Sequence, residues 1–270
     1  MIRSKAYLSV FKLRINMGLQ YRAAALAGIA TQFFFGFMFV MIFQAFYAHS
    51  VSTPPMTLAS VITYTWLKQA FLAFIMLWLR DNEMFGLITS GNIAYELCRP
   101  SDIYGLWYAK LLATRLSSAL LRCFPLLLVT FFLPRPYRLE LPPDLFTCVL
   151  FIAVLLVGLL MIVAISMLIY ISVFVTMSPG GSLLLFSIFG DFFAGLVIPV
   201  PLMPGWMQHI VYALPFHWTA DFPFRVYTGD LSKGEALIGL VAQAAWLLGL
   251  IALGKILMNK ALRRVVVQGG

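Results

Sequence analysis

Apolar runs at 23–48, 57–79, 103–133, 145–176, 182–199 and 234–257 alternate with short polar or proline-rich stretches. A helix needs about 20 predominantly apolar residues to cross a bilayer, because each backbone amide must be satisfied inside the segment once water is excluded. The runs approach or pass that length, so the pattern predicts six spans. No charge appears between Asp144 and Asp191. The break between the fourth and fifth spans comes instead from MSPGGS at 177–182, since proline and paired glycines punctuate helices.

The stretches between the runs predict the remaining elements. Residues 1–22 interleave Arg3, Lys5, Lys12, Arg14 and Arg22 with Tyr7, Leu8, Phe11, Leu13, Ile15 and Met17 and contain no acid. Basic residues beside an apolar stripe predict an amphipathic helix lying in the membrane interface. Residues 199–229 hold five prolines, two tryptophans and no long apolar run. Proline cuts helices and tryptophan and tyrosine prefer the interface, so short amphipathic or re-entrant helices near the outer leaflet are expected there. The fold class is therefore all-α membrane protein, divided into an interfacial helix (1–22), a six-span domain (23–260) and a C-terminal tail (261–270).

Composition agrees with the pattern. Of 270 residues, 62% are apolar and 11% charged, about half the charge of an average soluble domain. The net charge of +9 lies mostly beside apolar runs, where it reads as orientation and lipid contact rather than nucleic-acid binding. Arg80, Arg99, Lys255, Lys260, Arg263, Arg264 and the basic N-terminal residues all fall on one side of a six-span topology, leaving Arg135, Arg138, Arg225 and Lys233 on the other. The charge bias thus places both termini in the cytosol. The apolar run 23–48 is too long for a cleavable signal. Cys98, Cys123 and Cys148 are scattered and form neither a disulfide framework nor a metal pattern.

Candidate chemistry is sparse. Residues 249–256, GLIALGKI, approach a phosphate-cradling loop but place Ile256 where a magnesium-binding hydroxyl belongs, inside an apolar run with no preceding strand. His49, His209 and His217 are too far apart for a metal site read from spacing. No catalytic residue, metal or cofactor is expected in this chain. Charges fall well inside the spans at Lys68, Lys110, Arg115, Arg122 and Asp191. An unpaired charge at mid-membrane costs at least ~3 kcal/mol on insertion scales, so each needs a partner or water, and a Lys68–Asp191 contact would answer for two of them. Arg115 and Arg122 stand seven apart and share a helix face.

The most patterned polar stretch is 80–100, RDNEMFGLITSGNIAYELCRP, between the second and third runs. Met84, Leu87 and Ile88 can form one face of a short helix, and Ser90 and Gly91 break it. Ile93 and Leu97, at i and i+4, begin another, with Glu96 and Arg99 facing water.

Gly91, Ile93, Leu97, Arg99 and Pro100 spell G-x-I-x-x-x-L-x-R-P just after the second span, a pattern that resembles the cytosolic loop of ABC-2 type transporter permeases. Pro199, Pro204 and Trp206, followed by Leu214, Pro215 and Gly229, resemble the external segment before the last span of that family. The resemblance covers nearly the whole chain. It implies an exporter permease paired with a second permease of the same or homologous sequence, and the aromatic, methionine-rich spans suit an amphipathic or lipid-like substrate. It also implies coupling to two copies of a separate ATP-binding subunit that supplies ATP and magnesium. Carried onto matching positions, the coupling helix would use Gly91, Asn92, Ile93, Glu96, Leu97, Arg99 and Pro100. The competing readings are a lipid-modifying membrane enzyme using Asp191, His209 or His217, and a non-transporting scaffold or immunity protein.

Overall fold

The computed structural model of the chain describes residues 2–20, 22–50, 53–98 and 102–263, and every regular element among them is helical. In chain order these are α1 (Ile2–Gln20), α2 (Arg22–Ala48), α3 (Leu58–Ala70), α4 (Leu72–Ile75), α5 (Asn82–Thr89) and α6 (Ile93–Leu97). Then come α7 (Ile103–Phe131), α8 (Leu145–Thr176), α9 (Pro179–Phe193), α10 (Gly205–Tyr212), α11 (Asp221–Thr228) and α12 (Lys233–Leu262).

The long helices begin where a capping side chain meets an apolar run. Asp102 Oδ2 accepts the Gly105 N–H at 2.9 Å to start α7, and Asp144 Oδ1 accepts the Thr147 N–H at 2.7 Å to start α8. Ser232 and Glu235 start α12 reciprocally: Ser232 N–H donates to Glu235 Oε2 at 2.8 Å and Glu235 N–H to Ser232 Oγ at 3.3 Å. Such caps satisfy donors that have no partner in the first turn, worth about 1 kcal/mol each.

Among the described residues, four helices are long and apolar enough to cross a membrane: α2, α7, α8 and α12. α8 is the central post, with Met161 to Met167 buried without interruption. α12 packs along it, and Gln243 of α12 donates from Nε2 to Val154 O at 2.9 Å. α2 turns Phe34, Met41, Ile42 and Phe46 outward. α1 runs beside the first half of α7, where Tyr7 approaches Gly105 and Gly18 approaches Ser117.

Two expected spans have a different form. The run 57–79 is not one helix: α3 stops at Ala70, α4 adds a single turn, and the chain is extended from Met76. The run 182–199 becomes α9, 15 residues and about 22 Å long, starting at Pro179. The stretch 199–229 is built of short pieces: α10, α11 and 3-10 turns at Val200–Leu202 and His217–Thr219.

Candidate functional site

The break after α4 organises one half of the molecule. Backbone that leaves a helix among apolar neighbours exposes amide groups that only protein can satisfy. Side chains from three helices do so here. Arg115 of α7 donates from Nη1 to the carbonyls of Met76 (2.8 Å), Ala73 (3.2 Å) and Phe74 (3.5 Å), and from Nη2 to Ser166 Oγ of α8 (3.0 Å). Asp191 of α9 accepts the Leu77 N–H at 3.1 Å. Tyr170 of α8 accepts the Asp81 N–H at 2.6 Å. The guanidinium lies at the carboxyl end of a helix, where the backbone dipoles favour a cation.

These intramembrane charges therefore separate. Arg115 is buried, and it acts electrostatically on Asp191. Lys68 is also buried, but its Nζ sits 3.7 Å from the centre of the Phe39 ring. The Lys68–Asp191 contact expected from sequence is not formed among the described residues: Asp191 is taken by Leu77 and Arg115, and Lys68 by an aromatic face, which attracts a desolvated ammonium. Arg122 does not join Arg115. It packs against Gly28 of α2, where a Cβ would lie 2.8 Å from its Cζ.

Beyond the break, the chain 76–81 leads into a two-helix knob. Asp81 starts α5 by accepting the N–H groups of Glu83 (2.9 Å) and Met84 (3.3 Å). α5 buries Met84, Phe85 and Ile88, and Phe85 packs against Tyr170 of α8 with ring centres 4.4 Å apart and the planes tilted by 33°. Arg14 of α1 pairs with Asp81 at 3.5 Å and with Glu83, tying the N-terminal helix to the knob. Gly91 turns the chain at φ +74, and Asn92 precedes α6.

In α6 the expected pattern changes. Ile93 is buried, but so is Glu96, which was expected to face water. Leu97 and Tyr95 are exposed at 42% and 74%. In a helix of five residues packing decides which positions are covered, and here it covers Ile93 and Glu96, at i and i+3, and leaves Leu97, at i+4, in the open. Arg99 and Pro100 lie outside the described residues.

A second polar node stands at the opposite end, where Trp66 Nε1 of α3 donates to Tyr137 O at 2.7 Å and Lys233 pairs with Asp144. Its centre is Asp221, fully buried at the start of α11. Asp221 Oδ1 accepts from Tyr64 Oη (3.1 Å) and Val200 N–H (3.0 Å), while Oδ2 has no hydrogen bond and lies 3.9 Å from Arg225. Burial pushes the Asp221 carboxyl up to about 6, with Arg225 pulling it back. His217 Nδ1 is 3.1 Å from the carbonyls of Val211 and Leu214, which fixes the ring proton on Nδ1, and burial lowers its pKa to about 4. Among the described residues, His209 bonds within α10, its Nδ1 2.6 Å from Gly205 O.

Sequence reasoning flagged Arg115 and Asp191 but missed Ser166, Tyr170, Asp81, Tyr64, Asp221 and Arg225. An acid among aromatics, as in DFPFRVY at 221–227, is the signal that marks Asp221. No protein-family model, curated protein or solved structure matches the chain.

Proposed function

We propose that the chain is the membrane-spanning permease subunit of an ABC-type exporter, driven by ATP hydrolysed on a separate subunit. In this reading α3 with α4 forms one broken span and α9 a short one. They complete six spans, with the knob and both termini in the cytosol of a bacterial inner membrane. The observation that carries it is the knob itself. α6 buries Ile93 and leaves Tyr95 and Leu97 exposed, so it offers an aromatic and an aliphatic contact to a partner.

The knob is joined through residues 76–81 to a broken helix, the element that membrane transporters use where backbone must move or line a path. A push on α6 is passed to α5, then through Asp81 and Leu77 to Tyr170 and Asp191 on two further helices. A second permease, identical or homologous, completes the path for an amphipathic or lipid-like substrate. The ATP and magnesium reside on two ATP-binding subunits.

Tagged full-length chain, purified in mild detergent from its native membrane, tests this. ATPase activity and an ATP-binding subunit in equal amount are expected in the eluate. The pair Tyr95→Ala and Leu97→Asp is expected to remove both while the chain's yield holds. Elution without any ATP-binding subunit, or association indifferent to both substitutions, would sink the reading.

A further inference from the structure

A cavity of about 320 Å³ lies between α11 and the first turns of α12, at the end of the molecule opposite Arg14. That volume suits a small organic molecule. Tyr212, Trp218, Phe222, Asp221, Arg225 and Glu235 line it, and Ile238 and Ala242 of α12 supply an aliphatic wall. The aromatic groups form a continuous cluster: Trp218 meets Phe222 at 4.8 Å and His217 at 4.4 Å, and His217 meets Tyr212 at 5.3 Å.

Two buried polar atoms at this cavity have no hydrogen-bond partner, and they are of opposite kind. Asp221 Oδ2 is an acceptor whose ion-pair partner, Arg225 Nη1, stands at 3.9 Å, beyond hydrogen-bond reach, and Trp218 Nε1 is a donor. A buried polar atom without a hydrogen-bond partner has lost its water and gained nothing in return, so a ligand that meets both recovers that loss. The charge decides the ligand's sign. The carboxylates of Asp221, Asp230 and Glu235 surround a single guanidinium, Arg225, which already gives Nε to Asp230 at 2.8 Å and Nη1 to the Tyr212 hydroxyl at 3.2 Å. His217 is neutral near pH 7, and Lys233 is engaged by Asp144. Negative charge is in excess beside aromatic faces, the combination that holds organic ammonium ions.

We propose that this cavity is a binding site for an amphipathic organic cation, with the ammonium beside Asp221 Oδ2 and the Trp218 and Tyr212 rings and the apolar portion against Ile238 and Ala242. A hydrogen-bond acceptor next to the cationic nitrogen fits Trp218 Nε1. The site does not depend on the exporter reading, because a ligand reaches it in the isolated chain without a partner subunit.

Calorimetric titration of the full chain in detergent micelles with 2-amino-1-phenylethanol in its ammonium form, whose hydroxyl lies next to the cationic nitrogen, and with its uncharged isostere 1-phenylpropan-1-ol, tests the site. Saturable one-site binding of the cation, about ten-fold or more tighter than the isostere, is expected. Asp221→Asn keeps an oxygen for Tyr64 and Val200 and is expected to weaken the cation about ten-fold while leaving the isostere unchanged. Ala242→Phe fills the cavity and is expected to abolish both. If Asp221→Asn does not fold, Glu235→Gln, which retains the helix cap, must still lower cation affinity. Equal binding of the two probes, or cation binding indifferent to Ala242→Phe, overturns the proposal.

Discussion

Arg115 Nη1 lies 2.8 Å from the carbonyl oxygen of Met76, so a side chain of α7 closes the open end of a helix 39 residues earlier in the chain. The same group reaches Ala73 and Phe74, and its charge acts on Asp191. Removing it strands several carbonyls and a carboxylate together. Arg115→Met is expected to destabilise the chain by about 3 kcal/mol, read as denaturant unfolding in micelles, because one partner of a buried charged network is lost. Asp191→Asn added to Arg115→Met is expected to recover part of that loss, as a double-mutant cycle measures. Stability unchanged in Arg115→Met would show that the carbonyls find other donors.

Asp144 and Lys233 join the starts of α8 and α12 at an exposed position. The Lys233 ammonium, with help from the Thr147 N–H, holds the Asp144 carboxyl at about 2, below its ordinary value near 3.8. A depressed carboxyl contributes stability that is present above the unfolded value and lost as pH falls through the folded one. The thermal midpoint should therefore hold on this account from pH 7 to about 5 and decline between about 4 and 2. Asp144→Asn should flatten that part of the profile, and high salt should shrink it, since the pair is open to solvent. An identical acid limb in Asp144→Asn would place the transition elsewhere.

The hydrophobic pattern located α2, α7, α8 and α12 because a long uninterrupted apolar run has few alternatives to a helix. α8 begins and ends where its run does, at Leu145 and Thr176. The break after Ile75 left no such mark. Residues 57–79 contain neither proline nor glycine. The chain departs from a helix there because Arg115, Asp191 and Tyr170 hold the open backbone, an effect of residues far away in sequence. Glu96 was misplaced for a related reason: spacing gives a helix its faces, but only packing decides which face is covered. Lys68 found an aromatic ring rather than the acid that charge arithmetic offered.

Two glycines separate strain from crowding. Gly91 and Gly195 both have left-handed backbone, at φ +74 and +79. A Cβ on Gly91 meets nothing within 4 Å, but one on Gly195 would lie 2.6 Å from Tyr64 Oη and 3.1 Å from Asp221 Cβ. Gly91→Ala should therefore cost only the backbone term, about 1–2 kcal/mol. Gly195→Ala adds a clash with the Tyr64–Asp221 hydrogen bond and should lower the thermal midpoint much further. Equal losses would mean that this bond gives way without cost.

Arg14 joins α1 to α5 through Asp81 and Glu83, and α5 in turn rests on Tyr170, so the N-terminal helix helps seat the knob. The Arg14 and Glu83 side chains are partly open to water, at 19% and 58% exposure, so screening limits what the pair is worth. Arg14→Glu sets three acids together and should loosen α5 by about 1 kcal/mol at low salt, within the range of partly exposed pairs. Hydrogen exchange of the α5 amides reads this directly, and about five-fold faster exchange is expected, with little change in α8. Asp81 caps α5, so charge reversal is best restored at Glu83: Arg14→Glu with Glu83→Arg should bring exchange back toward the native rate. Loss of the effect in 1 M salt would follow from a Debye length near 3 Å. Unchanged α5 protection in Arg14→Glu would assign the seating of the knob to Phe85 and Tyr170 alone.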